Sequence, residues 1–420
     1  MKAGFDRRVI TPNIFENIEL GGYGYFLSRR PEKLDGDLYV TSLAVEGNNG
    51  DIIAISSLDL VGLDDRVVRN IRGIASERTG IPSDNIMVVC THTHSGPATL
   101  DILGCGAINH DYVEEVANVV IESIYYACSV MGDSTVGFNR TSVGGISYNR
   151  EGRKELDTDL HLVKFEGNTD ALLLNFSCHP TILGRSSTLL SRDYPGYAGN
   201  VLEDFLAIND SVLWTTGCCA DIDPLVNKDR KDRAGIGDLA SMGNRIAYGA
   251  FSAYRETETF PADVYVAGRE VEFPFDESFA FDCEGEIEAY MQLKFGKNTD
   301  GFVRFMQELK KGLESPHLPK SRAAKISGFR IGNYALVGIP AEVYSSTGLS
   351  IRGEYPDTVL ITCANGIVGY IPPMEEFERN TYAARRGQFI YNRRPFRHDC
   401  EEILRKNIEW VLDELDDVSR

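Results

Sequence analysis

The chain has 420 residues, 43% of them hydrophobic, enough to bury a large core without disulfide staples. Its formal net charge of -19 excludes a partner dominated by phosphate, because counterion release needs clustered Lys and Arg, so nucleic acid is not an expected ligand. Nine cysteines, at 90, 105, 128, 178, 218, 219, 283, 363 and 400, are odd in number and irregular in spacing, which reads as reduced thiols rather than a secreted disulfide framework.

The first residues, Met1-Lys2-Ala3-Gly4-Phe5-Asp6, carry charge and reach no apolar signal region, and no later stretch approaches the roughly eighteen apolar residues of a membrane span. A cytoplasmic, soluble chain without stable membrane association is expected. Two β-branched runs, Leu38 to Val45 and Asp51 to Leu58, flank Gly47-Asn48-Asn49-Gly50, the pattern of a hairpin. Apolar positions at helical spacing from Val67 to Ile74 precede a Pro82-Ser83-Asp84-Asn85 turn and then a buried strand, Ile86 to Cys90, that stops at Thr91-His92-Thr93-His94.

A helix is predicted from Tyr112 to Met131, with Val113, Val116, Val119, Val120 and Ile124 on one stripe, followed by a short strand near Thr135 to Phe138. His161 to Phe165 and Ala171 to Phe176 read as a second hairpin, whose second strand also stops at a histidine, in Ser177-Cys178-His179-Pro180. A helix from Tyr197 to Leu206 and a strand from Val212 to Thr216 come next. A strand from Val264 to Phe273 and a charge-rich helical stretch from Glu286 to Leu313 follow in a region of weaker pattern. Ile326 to Ile331 and Tyr334 to Gly338 make a third hairpin, which ends in Pro340-Ala341-Glu342, and Val359 to Cys363 precedes Asn365-Gly366 and Tyr370. Without repeats or a linker, the expectation is a single α/β domain over 1–420, a mixed β-sheet core with flanking helices, with 278–319 as a lid or insertion.

Three of these strands end on a side chain able to bind a metal, at the rim where α/β sheets build their sites. Imidazole nitrogen and carboxylate oxygen are good zinc donors, so His92, His179 and Glu342 form a plausible set. Taken singly each is weak: an isolated His-X-His is as often a solvated loop as a metal site, and a Glu or His beside a proline is usually structural.

Together the blocks resemble a known family, the neutral (non-lysosomal) ceramidases and their shorter bacterial relatives. Ile10-Thr11-Pro12 and Gly21-Gly22-Tyr23-Gly24 are similar to its N-terminal blocks, and Thr91-His92-Thr93-His94-Ser95-Gly96-Pro97 to its most specific motif. Asn175-Phe176-Ser177-Cys178-His179-Pro180-Thr181 resembles the second histidine block, Pro340-Ala341-Glu342-Val343-Tyr344 the glutamate block, and Asn365 through Tyr370, with Ile371-Pro372, the tyrosine block. The resemblance implies one zinc ion per chain held by His92, His179, Glu342 and Tyr370, and a metal-activated water attacking an amide carbonyl. It makes His94 a transition-state residue, and Tyr382, twelve positions after Tyr370, a donor to the developing oxyanion. From the residues alone, His94 is equally a further metal ligand or a hydrogen-bonding neighbour. The substrate-binding arginine of the family's Asn-Arg block matches either Arg140 or Arg150, which sequence does not separate.

Two departures matter. In Gly217-Cys218-Cys219-Ala220-Asp221-Ile222-Asp223-Pro224 the family's serine position is Asp223, which leaves no serine nucleophile there and suggests that Asp221 or Asp223 orients the ligands from behind. The paired cysteines read as buried small side chains. The ceramidases proper carry a C-terminal β-sandwich domain and a membrane-directed secretory context, neither seen here, so a small soluble N-acyl compound is the expected substrate, with a lipid amide as the alternative. Competing readings are a β/α-barrel metal-dependent amidohydrolase, disfavoured by the opening hairpin, and a non-catalytic metal- or ligand-binding relative. No Gly-X-Ser-X-Gly elbow supports a serine hydrolase.

Overall fold

The structure is a computed structural model and describes residues 1–14, 16–168, 170–208, 211–230, 233–292, 299–315, 317–391 and 394–419. Among these, eight strands form the larger sheet: β1 (Lys2–Val9), β2 (Tyr39–Glu46), β3 (Ile52–Leu58), β4 (Ile86–Cys90), β5 (Gly132–Ser142), β6 (Asp159–Gly167), β7 (Ala171–Phe176) and β8 (Val212–Thr216). Their order is β8-β7-β6-β5-β1-β2-β3-β4. The pairs at both ends, β8 with β7 and β3 with β4, are parallel, and those between are antiparallel. A second sheet contains β9 (Val264–Pro274), β10 (Ser321–Ile331), β11 (Tyr334–Gly338) and, after the two-residue β12 (Glu342–Val343), β13 (Thr358–Ile361).

The two sheets pack face to face. Phe5, Leu43, Ile53, Val89, Phe165 and Leu213 from the larger sheet bury against Phe329, Leu336, Val359 and Ile361 of the smaller one. Each such side chain contributes roughly 1.5–3 kcal/mol by leaving water. Helices cover both outer faces. α1 (Asp65–Thr79) and α2 (His110–Ser129) lie over the β2–β4 half, and α3 (Asp193–Leu206) and α4 (Ile236–Glu256) over the β6–β8 half. α5 (Cys283–Gln292), α6 (Thr299–Leu313) and α7 (Ser345–Glu354) follow, and α8 (Cys400–Val418) packs Leu404, Ile408 and Val411 on the smaller sheet. The α/β class expected from sequence is therefore observed, as two sheets sandwiched between helices.

All three hairpins form, each within a residue or a few of its expected bounds. The predicted helix over Glu286 to Leu313 is two helices, with 293–298 outside the described residues, as is position 316 of the 278–319 stretch. Strand β1 was masked in the sequence by Lys2, Asp6, Arg7 and Arg8. It pairs with β2 along its whole length but meets β5 only at Lys2 and Ala3, so its charged half runs past β5, where Arg7 binds Glu203 at 2.7 Å. All nine cysteines are free, eight of them buried.

One feature of the sheet brings the site together. The two ends of the larger sheet, β4 and β8, are bridged by the segment after β13. Thr362 donates its N–H to Thr216 (2.8 Å), Cys90 donates to Cys363 (3.2 Å), and Asn365 donates to Val88 (2.7 Å). Asn365 also accepts from the Val88 N–H and donates to the Ser327 hydroxyl, tying both sheets at one side chain. Strand ends that lie at opposite edges in the pairing order thus become neighbours.

Candidate metal centre

His92 leaves β4 with a left-handed backbone, φ +66°, a strained conformation for a non-glycine residue held by its N–H bond to Leu60. Its Nδ1 lies 2.6 Å from the Val61 carbonyl, which fixes the proton on Nδ1 and leaves the Nε2 lone pair facing inward. His179, just past β7, repeats the arrangement, with both its N–H and its Nδ1 against the Ile222 carbonyl, at 3.0 and 3.2 Å. The register pair Glu342–Tyr370, between β12 and β14 (Tyr370–Ile371), delivers the carboxylate and the phenol to the same place.

Glu342 Oε2 lies 3.2 Å from His179 Nε2 and 3.4 Å from His92 Nε2. His94 Nε2 is 3.4 Å from His92 Nε2, and the three histidines offer nitrogen atoms within 4.8 Å of one another. Lone pairs with both Nδ1 protons committed elsewhere, gathered on a carboxylate oxygen in a buried site, repel unless a proton or a metal cation is shared among them. This donor set therefore fits a divalent metal of the zinc type.

Without a metal, the same groups balance one another as an imidazolium–carboxylate pair. Burial opposes ionisation of Glu342, yet the His92 and His179 imidazoles outweigh it and hold the carboxyl well below the usual range. Burial lowers the basicity of His92, but the Cys363 thiol and Glu342 raise it well above that of an ordinary imidazole. His94 goes the other way: burial, then the neighbouring His92 and His179, push it well below, so it is neutral.

Arg150 joins the outer wall. Its guanidinium donates to the Ala220 carbonyl (2.6 Å), pairs with Asp223 (3.3 Å) and reaches the Tyr370 hydroxyl (3.4 Å). It also lies 5.7 Å from the Tyr382 ring centre, and the Tyr370 and Tyr382 rings meet edge to face at 5.9 Å. Asp223 sits 3.9 Å from His179 Nδ1. Asp221 turns away from the histidines and accepts from Asn149 and from the N–H and hydroxyl of Ser345, pinning the start of α7.

These groups open into a cavity of about 490 Å³, within the usual size of small-molecule sites. Its walls include Tyr23, Val61, Ile102, Ile390 and Tyr382 on the apolar side, and Tyr148, Arg150, Glu151, Thr181, Asp223 and Asn227 on the polar side. Nine of the ten residues singled out from sequence lie in or directly behind this region. Arg140 does not: it stands half-exposed on β5, 3.6 Å from Asp159, beside a separate cavity. Sequence reasoning missed Tyr391, whose hydroxyl donates to Glu342 Oε1 at 2.7 Å, because nothing distinguishes it from a packing tyrosine.

No family model matches the sequence. Among solved structures, the chain is similar to the neutral ceramidase from Pseudomonas aeruginosa, with a TM-score of 0.74 and 16% identity over 99% of this chain and 75% of that one. A ceramidase complexed with C2 is similar to the same extent, with a TM-score of 0.73, 16% identity and the same coverage. The fold is that of a neutral ceramidase. Among the described residues, no helix is long and apolar enough to cross a membrane.

Proposed function

We propose that this chain is a zinc-dependent hydrolase of an amide (N-acyl) bond, acting on a small soluble N-acyl compound or a lipid amide in the cytoplasm. The observation that carries the reading is the meeting of two carbonyl-anchored imidazoles with one carboxylate oxygen, at 3.2 and 3.4 Å. His92, His179, Glu342 and Tyr370 would hold one zinc ion, which supplies Lewis acidity to polarise a carbonyl and to lower the pKa of water. His94, neutral and beside that set, would take a proton from the attacking water and pass it to the leaving amine, or donate its N–H to the developing oxyanion. Tyr382 donates a hydrogen bond to the same oxyanion from the open side, where it is 40% exposed. Arg150 orients Tyr370 and Asp223 through the contacts it makes to both.

The apolar wall takes the acyl part, and the volume suits a short chain or the head of a longer one. Within the 278–319 stretch, helix α6 would serve as a lid, since its Phe302 and Phe305 pack edge-on against Tyr25. The test is hydrolysis of a panel of N-acyl amides and esters by zinc-loaded and chelator-stripped protein. Zinc-dependent amide cleavage is expected. Zinc-independent turnover would reject the mechanism, and no turnover across the panel would leave a binding protein. His94→Ala or Tyr382→Phe should keep the metal and lose about 10²-fold in rate.

A further inference from the structure

His92 and His179 have their rings fixed by a carbonyl at Nδ1, but His94 has none: its Nδ1 is buried with no hydrogen-bond partner among the described residues. Beyond the 3.4 Å contact of its Nε2 with His92, packing must set its orientation. The Gly21-Gly22-Tyr23 segment is what touches it. Gly22 has φ +90° and lies so close that a Cβ there would fall 2.6 to 2.8 Å from the Cγ, Nδ1 and Cβ of His94. These atoms are at the root of the ring and do not swing aside at low cost. The Tyr23 ring meets the imidazole edge to face at 5.1 Å, and its hydroxyl is anchored on the Leu183 carbonyl at 2.9 Å.

Arg29 fastens this segment. Its Nη2 donates to the carbonyls of both Gly21 and His94, the latter at 2.7 Å, and its Nη1 donates to Ser187 at 3.3 Å. The guanidinium also lies 4.6 Å from the Tyr23 ring centre. Arg29 is 6% exposed and forms no ion pair with a carboxylate among the described residues. A buried cation held only by carbonyls and a ring is a costly arrangement, of the kind retained where a site needs it.

We propose that Gly22, Tyr23 and Arg29 are positioning residues for His94: Gly22 and Tyr23 wedge the imidazole from either side, and Arg29 locks wedge and histidine to one another. This rests on the hydrolase reading for its kinetic consequence, and on geometry alone for its structural one. The experiment compares Gly22→Ala, Arg29→Met and Arg29→Lys in the wild-type and His94→Ala backgrounds. It uses zinc-loaded protein, a chromogenic N-acyl arylamide as probe, zinc content per chain, and ¹⁵N-histidine spectra with the His94 signal assigned from His94→Ala.

Gly22→Ala and Arg29→Met should shift or broaden the His94 signal while those of His92 and His179 and the zinc content stay unchanged. On the probe they should lower kcat about 10²-fold with little change in KM. Arg29→Lys, which keeps the charge but not the fork, should recover part of that loss. In the His94→Ala background, Gly22→Ala and Arg29→Met should cost less than about twofold more, since the group they position is gone. Full additivity there, or an unmoved His94 signal, would overturn the proposal. A zinc-loaded wild type inert toward the probe would instead count against the hydrolase reading, and the spectra would still decide the positioning.

Discussion

Two cavities among the described residues are lined by a buried histidine, and only the larger gathers side chains that could hold a metal. In the larger, His92 and His179 spend Nδ1 on backbone carbonyls and present Nε2 to a carboxylate. In the other, of about 250 Å³, His161 accepts from Arg352 at Nε2, and Arg352 in turn grips Asp157 at 2.7 Å. Burial, then the Arg352 charge, lowers the His161 pKa to about 3. The same side chain at a strand is thus a donor to a cation in one place and a filled hydrogen-bond acceptor in the other. What decides is which nitrogen the neighbouring backbone or guanidinium has already taken.

The sharpest way to break the contrast is to remove a donor from the larger cavity. His179→Ala or Glu342→Ala should take zinc from one per chain to near none after gel filtration, with turnover at background. Retention of the full ion would mean the donor is misassigned. In the smaller cavity the corresponding change is one of stability. Asp157→Asn removes the nearer carboxylate of the buried Arg352 cation, leaving Asp159 at 3.6 Å, and should cost about 1–3 kcal/mol in urea unfolding, with zinc binding by the folded protein intact.

The arginines separate in the same manner. Arg150→Ala should lower turnover about 10²-fold, as loss of an electrostatic contact at the reacting centre does. Arg140→Ala, half-exposed beside the second cavity, should alter neither turnover nor stability by more than about 0.5 kcal/mol. Equal losses from the two would erase the distinction. A further difference is in the pH profile. Because the folded pKa of His161 lies below that of the unfolded chain, unfolding takes up a proton between about 6.5 and 3, and stability falls as pH falls through that window. His161→Gln should make Tm less steep there; an unchanged slope would place the titration elsewhere.

Much of the site was legible because its donors stand where strands stop, and a strand that ends on His92, His179 or Glu342 announces itself by the switch from apolar run to polar rim. Hairpin turns such as Gly47-Asn48-Asn49-Gly50 were legible for a similar reason, since local backbone chemistry alone specifies them. What sequence could not carry was distance. Arg140 and Arg150 both follow an asparagine, yet Arg140 lies within β5 facing His161 across the register, while Arg150 lies beyond a short strand, Ser147–Asn149, that pairs with Ile222–Pro224 beside His179. Tyr391 and Arg29 act through partners 49 and 65 positions away and leave no local pattern. Helices α4 and α8 were not read from the sequence, although in Cys400–Val418 the apolar residues Leu404, Ile408, Val411 and Leu415 recur at helical spacing.

The bridge from Thr362 to Asn365 also bears on how the molecule comes into being. During synthesis the two histidine strands emerge in the first half of the chain, but the seam between β4 and β8 stays open until the last fifth arrives to close it. A nascent chain shorter than this has imidazoles without their carboxylate and an unsealed sheet edge, which is a template for mispairing. Folding dominated by such distant contacts is slow, so capture of the proposed cation would follow the arrival of residues 362–370 rather than nucleate the fold.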